Sequence, residues 1–218
     1  MAGIYLRAAD LPQVIPVFPL DGALLLPRGA LPLNIFEPRY LNMIDDVMAG
    51  DRVIGMVQTR NGEHLQRPLL AEVGCAGRIT SYAETGDGRY LITLTGICRF
   101  RVGTELPAHT PYRQVRADYA VYEDDLKPAA EAAAEDRAAL LEALKTYLER
   151  RGLDIDWRTA EDAPVESLVN SLSMALPFET AEKQALLEAE TPYHRRAALT
   201  ALLQIDAAVD EDSSSQIQ

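Results

Sequence analysis

An α+β fold in two successive parts, a β-barrel or sandwich followed by a bundle of helices, is predicted by three observations. Up to about residue 122, apolar residues alternate or form short runs broken by turn residues, as strands do. Beyond it they recur at helical spacing in alanine- and leucine-rich stretches. Charge changes near the same place: residues 1–120 hold 12 Arg or Lys against 12 Asp or Glu, whereas residues 121–218 hold 9 against 21, so the net charge of −12 sits wholly in the second part.

Taken in chain order, the strand candidates are "QVIPVFPL", "ALLLP", "LPLNIF", "RVIGMVQT", "GCAGRITSYA", "RYLITLTGI", "RFRVGTEL" and "YRQVRADYAVY", eight in all. One helix interrupts them. In "PRYLNMIDDVMAG", Tyr40, Leu41, Ile44, Val47 and Met48 share one face, Pro38 suits the first turn and Gly50 the C-terminal cap. Gly86, Asp87 and Gly88 lie between two alternating segments and supply the positive φ of a tight turn, so Gly74 to Ile97 reads as a hairpin.

After Tyr122, "LKPAAEAAAEDRAALLEALKTYLERRG" reads as one long helix that buries Leu140, Leu141, Leu144, Tyr147 and Leu148 and ends at Gly152. Next come "APVESLVNSLSMAL", stopped by Pro177, "TAEKQALLEAE" with Thr180 as cap, and "TPYHRRAALTALLQIDAAV", capped by Thr191 with Pro192 in its first turn. The expected division is therefore 1–122 as a barrel with one inserted helix, 123–208 as a four-helix bundle, and 209–218 as a disordered acidic tail.

Composition narrows the function. With 48% hydrophobic and 25% charged residues the chain is an ordinary globular protein, and it contains no apolar run near the ~20 residues of a membrane helix. The N-terminus has no basic region followed by a long apolar core, so a cytoplasmic location is expected. Cys75 and Cys98 stand far apart in strand-like segments and read as buried free thiols. Phosphate recognition needs a concentrated basic surface, which neither part offers, so nucleic acid is disfavoured. Only three lysines accompany eighteen arginines, a bias given no functional weight.

Catalytic signatures are missing. No G-x-x-x-x-G-K-[ST] and no G-x-S-x-G occurs, and His64, His109 and His194 are scattered, with no H-E-x-x-H. Neither cofactor nor metal is expected. The acidic clusters at 123–125 and 210–212 read as solvated surface or tail.

The conjunction of "IPVFPLDGALLLPRGALPLNIFEPRYLNMIDD", "IGMVQ", "VGCAGRITSY" and "GRYLITLTGICRFRV" resembles the Lon protease N-terminal (LON substrate-binding) domain family. "PFETAEKQALLEAETPYHRRAALTALL" is similar to the helical stretch that closes that region, and the motifs together touch residues 11 to 205. The resemblance implies a PUA-like β-barrel followed by a helical domain, in a stand-alone bacterial member without the ATPase and Ser-Lys protease modules of a full Lon protease. It implies a non-catalytic protein that binds unfolded or partner polypeptide, as an adaptor or regulator in protein quality control. The alternatives are a small-molecule binder or enzyme using a pocket between barrel and bundle, and an RNA binder. Neither membrane nor nucleic acid is expected as partner, and a weak homodimer through an apolar barrel or helix face is left open.

Candidate contact residues cluster at expected rims of the barrel. At the strand-to-helix junction, Glu37, Arg39 and Tyr40 bring a carboxylate, a planar guanidinium and an aromatic ring together, a set suited to an extended peptide. Arg78 and Tyr82 on the hairpin arm, and Arg99 beside its partner strand, complete the set. Each of these also has a purely architectural reading, with Pro38 ending the strand ladder and Glu37 and Arg39 capping or pairing. In the loop "TRNGEHLQRPLLAEVG", Leu65, Leu69 and Leu70 are candidates for an exposed apolar patch.

Overall fold

The computed structural model describes residues 5–60, 68–107, 109–128 and 134–215. Among the described residues, six strands form one mixed sheet: β1 (Val14–Pro19), β2 (Ala30–Ile35), β3 (Val53–Val57), β4 (Val73–Glu84), β5 (Tyr90–Glu105) and β6 (Arg113–Asp118), with α1 (Pro38–Met48) between β2 and β3. Their order is β2-β5-β4-β3-β1-β6, and β5 also pairs with β6. That last pairing closes β5, β4, β3, β1 and β6 into a barrel and leaves β2 as a sixth strand on the flank of β5. All neighbours are antiparallel except β1 and β3, which run parallel from Val17↔Gly55 to Pro19↔Val57. Ile15, Val17, Val53, Val57, Ala76, Cys98, Phe100 and Val115 fill the barrel, so both cysteines are buried free thiols, Cys75 included.

Among the described residues, six strands replace the expected eight. "RYLITLTGI" and "RFRVGTEL" form the single strand β5, because the register passes from Ala76↔Cys98 to Gly77↔Gly96 and leaves Ile97 as an extra residue. A bulge of this kind carries a strand through a break in its alternation. "ALLLP" is not a strand: Leu24, Leu25 and Leu26 are all buried in an irregular segment laid against β5. Gly96 makes this approach feasible, since a Cβ there would collide with the carbonyl oxygen of Leu26. The segment is fixed by Arg28 N–H to the Gly96 carbonyl and Gly96 N–H to that of Gly29, both 2.8 Å, with Arg28 in the left-handed region at φ 67°. The hairpin turn has its positive φ at Gly88 (77°).

After a 3-10 segment (Ala120–Leu126) come α2 (Ala134–Arg151), α3 (Trp157–Asp162), α4 (Val165–Ala175), α5 (Thr180–Glu188) and α6 (Pro192–Ser215). The chain divides into two compact units, residues 1–128 with 177–187, and residues 129–176 with 188–218. This corrects the expected division: nearly all of α5 belongs with the barrel, and the helical unit holds α2, α3, α4 and α6. The reason lies in "EKQ". Lys183 Nζ donates to the Gly22 carbonyl (2.8 Å), Gln184 Nε2 to that of Val73 (3.1 Å), and Gln58 Nε2 to Gln184 Oε1 (2.9 Å) and the Thr180 carbonyl (3.2 Å). Leu186 and Leu187 are buried beside them.

The helical unit buries Leu140, Leu144, Tyr147, Leu148, Leu168, Val169, Leu172, Leu199 and Leu203. Thr191 Oγ1 accepts from the His194 N–H (3.2 Å), as an N-cap does. α6 continues to Ser215, through most of the stretch expected as a tail, while 216–218 lie outside the described residues. Among the described residues no helix is long and apolar enough to cross a membrane.

Candidate functional site

Pro38 does at the β2–α1 junction what its ring dictates. It holds φ near −65°, offers no N–H to a ladder and becomes the first residue of α1, with Glu37 extended before it (φ −72°, ψ 132°). Tyr40, Met43, Ile44 and Val47 then face the core. Glu37 does not cap the helix with its side chain; it pairs with Arg39, whose Nε and Nη2 lie 3.0 and 2.8 Å from Glu37 Oε2. Arg39 also lies over the Tyr40 ring at 4.5 Å, and that ring packs 4.2 Å from Phe18 of β1.

Arg39 and Tyr40 form one wall of a cleft of about 330 Å³. Pro111 and Tyr112, just before β6, and Arg113, its first residue, line the same cleft, so an Arg-Tyr pair and a Pro-Tyr-Arg triplet from distant parts of the chain share it. Pro19, Asp21, Thr59 and Pro68 complete the lining.

Most polar groups on these walls are already satisfied. Arg113 grips Glu105 with Nε and Nη2 (2.8 and 2.9 Å) and donates from Nη1 to the Pro68 carbonyl (2.8 Å). Tyr112 donates to Asp46 Oδ2 at 2.6 Å; burial first, then this bond, pushes its hydroxyl up to about 12. Burial raises the Tyr40 hydroxyl as well. Asp21 accepts from the N–H of Thr59 (2.7 Å) and from its hydroxyl. The Arg39–Glu37 pair differs, since about half of each side chain faces solvent (53% and 44%). Exposed pairs of this kind contribute about 0–1 kcal/mol, so freeing Arg39 for another acceptor costs little. The cleft thus offers one exchangeable guanidinium, tyrosine and proline surfaces, and beside Pro68 the exposed apolar side chain of Leu69.

The other expected contacts lie elsewhere. Arg78 donates to the Tyr5 hydroxyl (3.1 Å) and lines a second, more apolar hollow of about 460 Å³ with Leu6, Ile97 and Leu126. Tyr82 is on the exposed end of the hairpin arm, its ring 5.1 Å from Tyr90. Arg99 is not on a rim at all. It is 2% exposed and bound to both oxygens of Asp125 (2.8 Å each), to the Leu187 carbonyl (3.1 Å) and over the Tyr122 ring at 4.4 Å. Leu65 lies outside the described residues.

Reading the sequence missed Tyr112, Arg113, Asp21 and Pro111. The signal available was a recurring triplet of the same composition, "PRY" at 38–40 and "PYR" at 111–113. Among the described residues no three His, Cys, Asp or Glu side chains group as a metal site.

The family model of the ATP-dependent protease La (LON) substrate-binding domain matches residues 14–204. Lon protease 2 of Myxococcus xanthus is 35% identical over 112 residues, and Lon protease of Anaeromyxobacter dehalogenans 30% over 118, matching 50% and 53% of the chain. The match spans only 13% and 14% of those two proteins. Among solved structures, the Lon N-terminal domain protein from Xanthomonas campestris superposes with a TM-score of 0.62 at 23% identity, covering 86% of this chain and 97% of that one. The N-terminal domain of Mycobacterium avium complex Lon protease gives 0.62 at 19% identity, covering 88% and 98%. Both likenesses concern the fold.

Proposed function

As the chain belongs to the LON substrate-binding domain family, we propose that it binds unfolded or partner polypeptide through the cleft of Arg39, Tyr40, Tyr112 and Arg113, acting as a non-catalytic adaptor or regulator in protein quality control. One observation carries this reading: Arg39 lines the cleft held by an exposed partner that a client can displace, while Tyr112 and Arg113 are fixed by their own partners. Tyrosine and proline surfaces suit an extended chain, which presents apolar side chains and backbone carbonyls together. Exposed Leu69 and Phe36 extend the apolar surface available beside the cleft and its leading strand. Residues 1–120 carry no net charge, which counts against a phosphate backbone as partner. The reading includes a cytoplasmic site of action.

The test is fluorescence anisotropy with a labelled protein in its unfolded and native forms, with no nucleotide present. Saturable binding to the unfolded form is expected, with the client recovered intact. Arg39→Ala is expected to weaken binding about 5- to 10-fold, the worth of roughly one charge-assisted hydrogen bond. Equal affinity of Arg39→Ala and the parent would remove the cleft from the reading.

A further inference from the structure

β2 lies at the open end of the sheet, and among the described residues β5 is the one element packed extensively against it. The register fixes which backbone groups face outward. Gly29 and Gly96 stand opposite one another by extension of Ala30↔Thr95, and Gly96 N–H donates to the Gly29 carbonyl at 2.8 Å. In an antiparallel ladder bonded positions alternate, so Leu31, Leu33 and Ile35 bond to β5, while the N–H and C=O groups of Ala30, Pro32 and Asn34 point away. Pro32, which has no N–H, falls on an outward position as its chemistry requires. Ala30, Pro32 and Asn34 are also exposed.

We propose that this edge takes up an extended segment of the bound polypeptide as an added strand. The inference rests on the reading of the protein as a polypeptide binder and names how that polypeptide is held: by its backbone, the one feature all unfolded chains share. The edge offers three carbonyls but only two N–H groups, those of Ala30 and Asn34. A client strand with all its amides can donate to all three carbonyls, whereas a second copy of the edge brings the same deficit of donors. Pro32 thereby favours a client over self-pairing. Partly exposed Leu31 and Leu33 on one face, and exposed Leu91 opposite Asn34 on the other, offer apolar contact to the client's alternate side chains. The same strand leads within four residues to Arg39, and past its end Phe36 is exposed with the Arg89 guanidinium 5.8 Å from its ring.

The probe is fluorescein-labelled, reduced and carboxymethylated lactalbumin, which stays unfolded in native buffer, titrated against the full chain and three variants. Pro32→Ala restores an outward N–H and is expected to tighten binding about fivefold, one hydrogen bond's worth. Asn34→Pro removes a donor and is expected to weaken it by a similar factor, while Asn34→Ala, which keeps the N–H, binds as the parent does. Circular dichroism checks each fold, and Pro32→Ala decides the matter alone if Asn34→Pro unfolds. Parent-like affinity in Pro32→Ala would overturn the added strand while leaving the proposed function intact; failure of the parent to bind would fell both. Dimerisation of Pro32→Ala in sedimentation velocity without tighter client binding would give the edge to a second copy, which also overturns the proposal.

Discussion

Arg99 sits under the Tyr122 ring with both Asp125 oxygens and the Leu187 carbonyl around its guanidinium, all out of water. Removing one member of such a buried pair leaves an uncompensated charge and costs about 3–5 kcal/mol. A loss of binding on substituting Arg99 would therefore report damage to the barrel, whereas the same change at Arg39 removes a surface group. Tyr112 gives the residue scale its own prediction. Its hydroxyl is held neutral to about pH 12 in the folded protein by burial and Asp46, whereas an unfolded tyrosine ionises near pH ~10. The folded state thus resists losing a proton that the unfolded state gives up, so this contribution is complete below about pH 10 and lost as pH rises through about 12. Relative to Tyr112→Phe, the parent should lose stability across that window in urea unfolding. Parallel curves for the two proteins would contradict it. Cys98, pushed up to about 12 by burial and then Asp125, stays a thiol at neutral pH and is a core residue first.

At the scale of elements, the irregular Leu24–Leu26 segment depends on Gly96. A methyl group there meets the Leu26 backbone carbonyl, which cannot rotate away as a side chain would. Gly96→Ala should cost about 3 kcal/mol or more, seen as a lower urea midpoint with an unchanged slope; parent-like stability would show that the segment moves freely. This element marks where sequence reading stops. Three consecutive leucines look like a buried strand, and only the close passage over Gly96, a tertiary fact, makes them an irregular cover. The same limit split β5 in two, since the extra Ile97 looks like an ending. What local chemistry sets was legible: the α1 start at Pro38, the turn at Gly88, the Thr191 cap and most strands of the barrel. The Arg39–Tyr40 half of the cleft was legible for that reason. The Tyr112–Arg113 half was not, because only barrel closure brings β6 to face α1. Arg99 was misread since an alternating strand does not reveal which arginine has a buried aspartate waiting for it.

For the whole molecule, the chain leaves the helical unit after Leu176, contributes most of α5 to the barrel unit, and returns at Glu188. The barrel unit therefore needs the later sequence to be complete: Gln58, Gly22 and Val73 find their α5 partners more than a hundred residues on. A chain truncated at residue 128 would leave those contacts unmade, so binding belongs to experiments on the full chain. Residues 1–120 are neutral whereas residues 121–218 hold 9 basic and 21 acidic residues, so the proposed contact at Arg39 falls in the part of the sequence that would repel an acidic client segment less. The most direct measurement is hydrogen–deuterium exchange of the full chain with and without saturating unfolded client. Recognition by the barrel unit predicts new protection from Ala30 to Tyr40 and around Tyr112, with little change in α2, α4 and α6. Protection confined to those three helices, with Ala30 to Tyr40 exchanging as in the free protein, would contradict it.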